Sequence, residues 1–177
     1  IKYASNWFQL LQIMDEVWVP CLRSQSSLIH DGLPNVKIVP HTFNTKELVR
    51  DTTLSAIDLI NENFKFYYIG DMNDRKNISN IMRCFHVAFS PSEPVDLILK
   101  LGSSQGQQYV NQAINSTSEK IKRQLRLYSN LSTYKNEHVI SRNLDRKEIL
   151  DLHSIADCYI APSHGEAWNI SAFEAMA

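Results

Sequence analysis

The sequence predicts an α/β protein built on a doubly wound parallel sheet. Three observations carry this. Short apolar runs alternate with helical-period segments four times in a row through the second half of the chain. Those runs are apolar at successive positions, as strands covered on both faces must be. Several end in Gly, Pro or Ser before the next helix, the usual punctuation of a crossover unit.

Each element follows in order. Apolar residues at helical spacing over 6–14 predict a helix, and 15–20 predicts a short strand closed by Pro20. A helix over 22–30 should end at Asp31-Gly32, and 36–40 is the second strand. Residues 41–62 form a polar connection with a helix expected over 52–60. The run 64–70 is a strand rich in aromatic and β-branched residues. After the loop 71–76, residues 77–89 place Ile78, Ile81, Met82, Phe85 and Phe89 on one side of a helix. Strands over 95–102, 138–140 and 158–161 alternate with helices over 107–128 and 145–156, and a last helix opens near Ser171.

With 177 residues, 44% of them hydrophobic, the chain can bury one substantial core and part of a second. Eighteen basic against 19 acidic residues leave no broad charge to attract nucleic acid, so an anion site must be local. No apolar run approaches the roughly 18 residues of a membrane helix. Three cysteines without a CxxC pair fit a reducing compartment, so a cytoplasmic location is expected. The four Asn-x-Ser/Thr matches, at Asn77, Asn115, Asn130 and Asn169, read as chance in that setting. Both ends read as cut, which implies a piece of a larger protein.

Chemistry is expected where the strand 158–161 runs into a Ser/Gly loop and a helix, because open α/β sheets hold ligands at that edge. Glu166 in the loop and Glu174 one turn into the helix supply two carboxylates suited to the neighbouring hydroxyls of a polyol, while first-turn amides favour a phosphate beside them. Spacing alone favours another reading of Glu174: Ser171-Ala-Phe-Glu174 matches a capping box. Arg75 and Lys76, before the helix 77–89, are cations where a helix dipole prefers anions; this suggests an external diphosphate, with a solvated pair countered by Asp71 and Asp74 as the alternative. Gly70 at its strand's end permits close backbone approach. There is no GxGxxG, no GxxxxGK[ST] and no Asp-x-Asp, so neither a dinucleotide or P-loop signature nor a carboxylate pair for a divalent metal is present; no metal site and no cofactor are expected.

The ordered set Asp-Glu-Val-Trp-Val-Pro (15–20), Val-Lys-Ile-Val-Pro-His (36–41), Arg-Lys-Asn (75–77), Asp-Leu-Ile-Leu-Lys (96–100), Ala-Asp-Cys-Tyr-Ile-Ala-Pro-Ser (156–163) and Glu-x7-Glu resembles the retaining glycosyltransferases of family 4, or group 1. The resemblance implies a GT-B architecture of two Rossmann-like domains. Residues 1–45 would end the acceptor domain, 46–61 would be a linker, and 62–177 most of the donor-binding domain. It further implies that Glu174 binds the ribose, Glu166 the transferred sugar as the catalytic carboxylate, and Lys76 with Arg75 the diphosphate, with the amides of Ala167, Trp168, Asn169 and Ile170 along the sugar and phosphates. The implied activity is metal-independent hexosyl transfer from a nucleoside diphosphate sugar to an unknown acceptor with retention, the piece alone being inactive. A non-catalytic nucleotide-sugar-binding module and a nucleotide-sugar epimerase of the same architecture are the alternatives; any peripheral membrane contact would belong to the missing domain. Two departures stand out: Ala167-Trp168-Asn169 replaces the family's frequent Gly-Phe-Gly, and Asp71 replaces a frequent basic residue, so that Arg75 would have to substitute.

Overall fold

The computed structural model describes residues 5–42, 44 and 61–177. The chain divides into two compact units: residues 1–43 with 166–170, and residues 44–165 with 171–177. The expected helix over 52–60 and all of the expected linker but Asn61 lie outside the described residues.

The first unit is a β-α-β piece. Helix α1 (Ser5–Gln12) precedes β1 (Val17–Val19), α2 (Leu22–His30) and β2 (Val36–Ile38). The two strands pair in parallel, Val17 opposite Val36. Val19, Leu28, Leu33 and Val36 form its small core, with Phe8, Leu11 and Val17 packed against them. Helix α2 stops where expected: Gly32 adopts φ +97°, its amide donates to Ile29 O and the Leu33 amide to Leu28 O. This is a Schellman closure, in which the left-handed residue satisfies carbonyls the helix would leave unpaired. Both strands are shorter than the sequence suggests. Pro20 and Pro40, lacking an N–H, cannot extend the ladder, while Asp15 and Glu16 remain in solvent.

In the second unit, β3 (Phe64–Asp71), β4 (Val95–Gly102), β5 (Glu137–Ile140) and β6 (Cys158–Tyr159) form one sheet in the order β5-β4-β3-β6, every pair parallel. Strand β4 is central and buried on both faces. Leu97, Leu99 and Leu101 point into a core with Tyr68 and with Ile81, Met82 and Phe85 of α3 (Ile78–Ala88), and with Val110, Ile114 and Ile121 of α4 (Gln107–Leu125). Ile98 faces the other way, onto Tyr67 and Leu152 of α5 (Arg146–Ile155). Helices therefore cover both faces, the doubly wound arrangement. Asp145 and Glu148 close a capping box at the start of α5.

Helix α4 ends three residues before the expected 128. Arg126 turns left-handed at φ 52°, and the hydroxyl of Tyr134, a buried side chain from the next turn, donates to Lys122 O and accepts from the Leu127 amide. Strand β6 is two residues shorter than expected, although the Ile160 amide still donates to Tyr67 O.

The N-terminal edge of this sheet is held by buried charge. Glu137, the first residue of β5, accepts from His86 Nε2 (2.6 Å) and Ser118 Oγ (2.9 Å) on one oxygen and from Lys122 Nζ (2.9 Å) on the other. Asp96 accepts from Asn61 and Asn63, and Lys65 Nζ donates to the backbone of the same two residues. Every one of these buried groups has a partner, as desolvated charge requires.

Candidate functional site

The strand order reverses at β3: the chain moves from β3 outward to β4 and β5, then returns to lay β6 on β3's other side. Open α/β sheets bind ligands at the C-terminal ends of the strands that flank such a reversal, here beside the loops that follow β3 and β6. Three hydrogen bonds join the two loops. Arg75 Nη1 donates to Gly165 O at 2.6 Å, the His164 amide donates to Arg75 O at 2.8 Å, and Asn77 Nδ2 donates to Pro162 O at 3.1 Å.

The local chain explains this geometry. After β3, Asn73 caps a single 3-10 turn, Asp74–Lys76, by accepting from the Lys76 amide. Asn77 then takes the left-handed conformation at φ 58°, which asparagine tolerates, and α3 begins only at Ile78. The expected dipole mismatch at Arg75 and Lys76 is thereby corrected: the two cations close a 3-10 turn, whose carbonyl end favours positive charge, and do not open α3. Arg75 shapes the β6 loop through Gly165 O, while Lys76 is half-buried. Gly70 also has a local reason to lack a side chain. A Cβ there would lie 2.2 Å from Tyr68 Oη and 2.7 Å from its Cζ.

Glu174 lies in α6 (Ile170–Ala175) and is buried, its side chain 8% exposed. The capping-box alternative fails, because α6 starts at Ile170 and puts Ser171 inside the helix. Glu174 Oε1 instead accepts from Arg146 Nη1 at 2.6 Å, and Oε2 lies 3.6 Å from His153 Nε2. His153 is buried, its Nδ1 is 2.7 Å from the Tyr67 hydroxyl, and burial pushes its imidazole below the ordinary histidine range against the pull of Glu174. Burial likewise pushes the Tyr67 hydroxyl upward, with Tyr159 and Cys158 adding to it.

Residues 166–170 belong with the first unit. Glu166 and Ala167 are exposed; Ala167 O faces Cys21 Sγ at 3.8 Å, and the half-buried ring of Trp168 lies 5.9 Å from that of His41. Asn169 is half-buried and Ile170 is exposed.

Sequence reasoning missed Arg146, His153 and Lys100. Arg146 and His153 stand seven positions apart on α5, two turns on one side of a helix, a spacing that could have been noticed. Lys100 interrupts the apolar run of β4; it is buried, and burial pushes its ammonium below the usual lysine range against the pull of Asp71. Among the described residues no three His, Cys, Asp or Glu side chains gather as a metal site needs, and no helix is long and apolar enough to cross a membrane.

No protein-family model and no curated protein matches the sequence. Solved structures do match the fold. An α,α-trehalose 6-phosphate synthase from Burkholderia multivorans superposes over 96% of this chain with a TM-score of 0.72 at 11% identity. The fold is that of the Rossmann-like half of a GT-B glycosyltransferase. An E. coli protein named for trehalose-6-phosphate, bound with UDP-2-fluoro glucose, matches over 96% of the chain with a TM-score of 0.68 at 11% identity. So does an α,α-trehalose-phosphate synthase (UDP-forming) from Burkholderia xenovorans in complex with glucose-6-phosphate, over 96% with a TM-score of 0.68 at 11% identity. The chain spans less than half the length of these proteins, 43%, 44% and 45% respectively.

Proposed function

We propose that this chain is the donor-binding part of a retaining, metal-independent glycosyltransferase similar to family 4, which moves a hexosyl group from a nucleoside diphosphate sugar to an acceptor. The observation that supports it most is the reversal of strand order between β3 and β6, where the loop bearing Arg75 and Lys76 is tied to the loop that leads toward the buried carboxylate of Glu174. An E. coli relative in fold carries a uridine diphosphate sugar analogue, which makes UDP-sugars the first donors to test.

In this reading Glu174 accepts hydroxyls of the ribose, sharing Oε1 with Arg146, and Lys76 meets the diphosphate. Arg75 contributes by fixing the β6 loop and by adding positive charge beside Lys76; Gly70 keeps the strand end narrow. Glu166 serves the transferred sugar, and the amides of Ala167 to Ile170 line the sugar and phosphates, as the family resemblance assigns them. Positive charge and backbone amides, with no divalent ion, neutralise the leaving diphosphate.

A thermal-shift screen of UDP-, GDP- and ADP-sugars should raise the apparent melting temperature with one base, because a ligand that binds only the folded state stabilises it. Lys76→Ala should then weaken the matching nucleoside diphosphate by about ten- to hundredfold, the size of one charge-assisted hydrogen bond. Glu174→Gln should weaken nucleoside and nucleotide alike. Calorimetry showing unchanged affinity in both variants of the intact protein would refute these assignments.

A further inference from the structure

Glu174 is gripped from two sides of unequal character. On one, Arg146 is about half exposed (48%) and reaches Oε1 at 2.6 Å. On the other, His153 is almost wholly enclosed (4%), its Nε2 makes no hydrogen bond, and that nitrogen lies 3.6 Å from Oε2. Behind the imidazole, Tyr67 Oη approaches Nδ1 at 2.7 Å, with the two rings edge to face at 5.5 Å. Tyr159 also borders the imidazole, but its hydroxyl already donates to Ile69 O at 3.1 Å.

We propose that Tyr67 and His153 are positioning residues that orient Glu174 for the nucleoside, through a relay in which the Tyr67 hydroxyl donates to Nδ1 and the Nε2–H points at Oε2. The inference rests on the reading of Glu174 as a ligand carboxylate and adds to it the groups that set its direction. Lone-pair arithmetic selects the tautomer. If Nδ1 carried the proton and donated to Tyr67, the Nε2 lone pair would face a carboxylate oxygen across 3.6 Å of buried space, an unpaired and repulsive contact. With the proton on Nε2, all three groups have complementary neighbours. Burial keeps the ring neutral, as the relay needs. Arg146 holds the solvent-side oxygen, where a ribose hydroxyl would compete, and His153 faces the inner one.

The test has two arms. Nitrogen NMR of His153 in the intact, ligand-free protein should show the Nε2–H tautomer, and Tyr67→Phe should shift the population toward Nδ1–H. In the second arm, UDP, GDP and ADP are each titrated into wild type, Tyr67→Phe, His153→Phe and His153→Gln, with Lys76→Ala as the control on the donor site. Tyr67→Phe and His153→Phe should lose about tenfold in affinity, the worth of one hydrogen bond, and His153→Gln, which retains an N–H donor, should recover most of it. An Nδ1–H tautomer in wild type overturns the relay. Unchanged affinity in Tyr67→Phe and His153→Phe while Lys76→Ala weakens binding also overturns it, and leaves the donor site standing. If none of UDP, GDP and ADP binds wild type, the donor reading falls and the positioning role with it, whatever the tautomer. Should His153→Phe fail to fold, Tyr67→Phe, which removes one oxygen, carries the same comparison.

Discussion

Glu137→Ala should lower the unfolding free energy by about 3–5 kcal/mol, the largest single loss expected in the molecule. The carboxylate is 8% exposed and takes hydrogen bonds from His86, Ser118 and Lys122. Removing it leaves the Lys122 ammonium, itself only 10% exposed, with no countercharge in a desolvated pocket. Denaturant titration measures the loss directly; a change below about 1 kcal/mol would mean that water enters the pocket and replaces the carboxylate. The same group sets an acid limit. Burial alone would raise the Glu137 pKa, but the hydrogen bonds from His86 and Lys122 overcome it and bring the carboxyl from 4.5 down to about 2. Its folded value lies below its unfolded one, so its contribution is complete above about pH 4.5 and is lost as the pH falls toward 2. A gap of that width corresponds to roughly 3 kcal/mol. Stability measured between pH 6 and pH 2 should therefore fall more steeply in wild type than in Glu137→Ala.

Gly70→Ala should cost about 3 kcal/mol, the upper end of what overpacking a core commonly costs. The added methyl would meet Tyr68 Oη at 2.2 Å, Cζ at 2.7 Å and Cε1 at 3.0 Å. Tyr68 has no exposed surface, so the ring cannot swing into solvent and the strand or α3 must move. Tyr68→Phe in the same chain removes the shortest contact and leaves the next, so a double-mutant cycle should show partial recovery. Additive losses would place the strain elsewhere. Because Gly70 precedes the loop that carries Arg75 and Lys76, nucleoside diphosphate affinity should fall along with the melting temperature.

Much of this fold is legible in the residues. The helix 22–30 and the strand 95–102 form with the expected limits, because each is bounded by chemistry local to the chain: Gly32 after the one, Gly102 closing the other. Strand β6 and helix α4 were harder, since a two-residue edge pairing and a capping hydroxyl from Tyr134 depend on partners distant in sequence or beyond the helix. The candidate site shows the same division most clearly at two similar tetrads. Asp145-x-x-Glu148 and Ser171-x-x-Glu174 both match a capping box, and the first forms one. The second does not, because α6 already starts at Ile170; the Glu174 carboxylate goes instead to Arg146, 28 residues away, and no local pattern announces that. The same holds for Arg75, whose guanidinium goes to a carbonyl 90 residues on.

One oxygen atom, the Tyr134 hydroxyl, adds a second donor to Lys122 O, which the Arg126 amide already reaches, and captures the Leu127 amide just beyond the helix. The connection from α4 into β5 is thereby locked to the helix it leaves: slow amide exchange at Leu127 and resistance to nicking by proteases should extend past the helical residues, and that boundary should open only together with the final turn of α4.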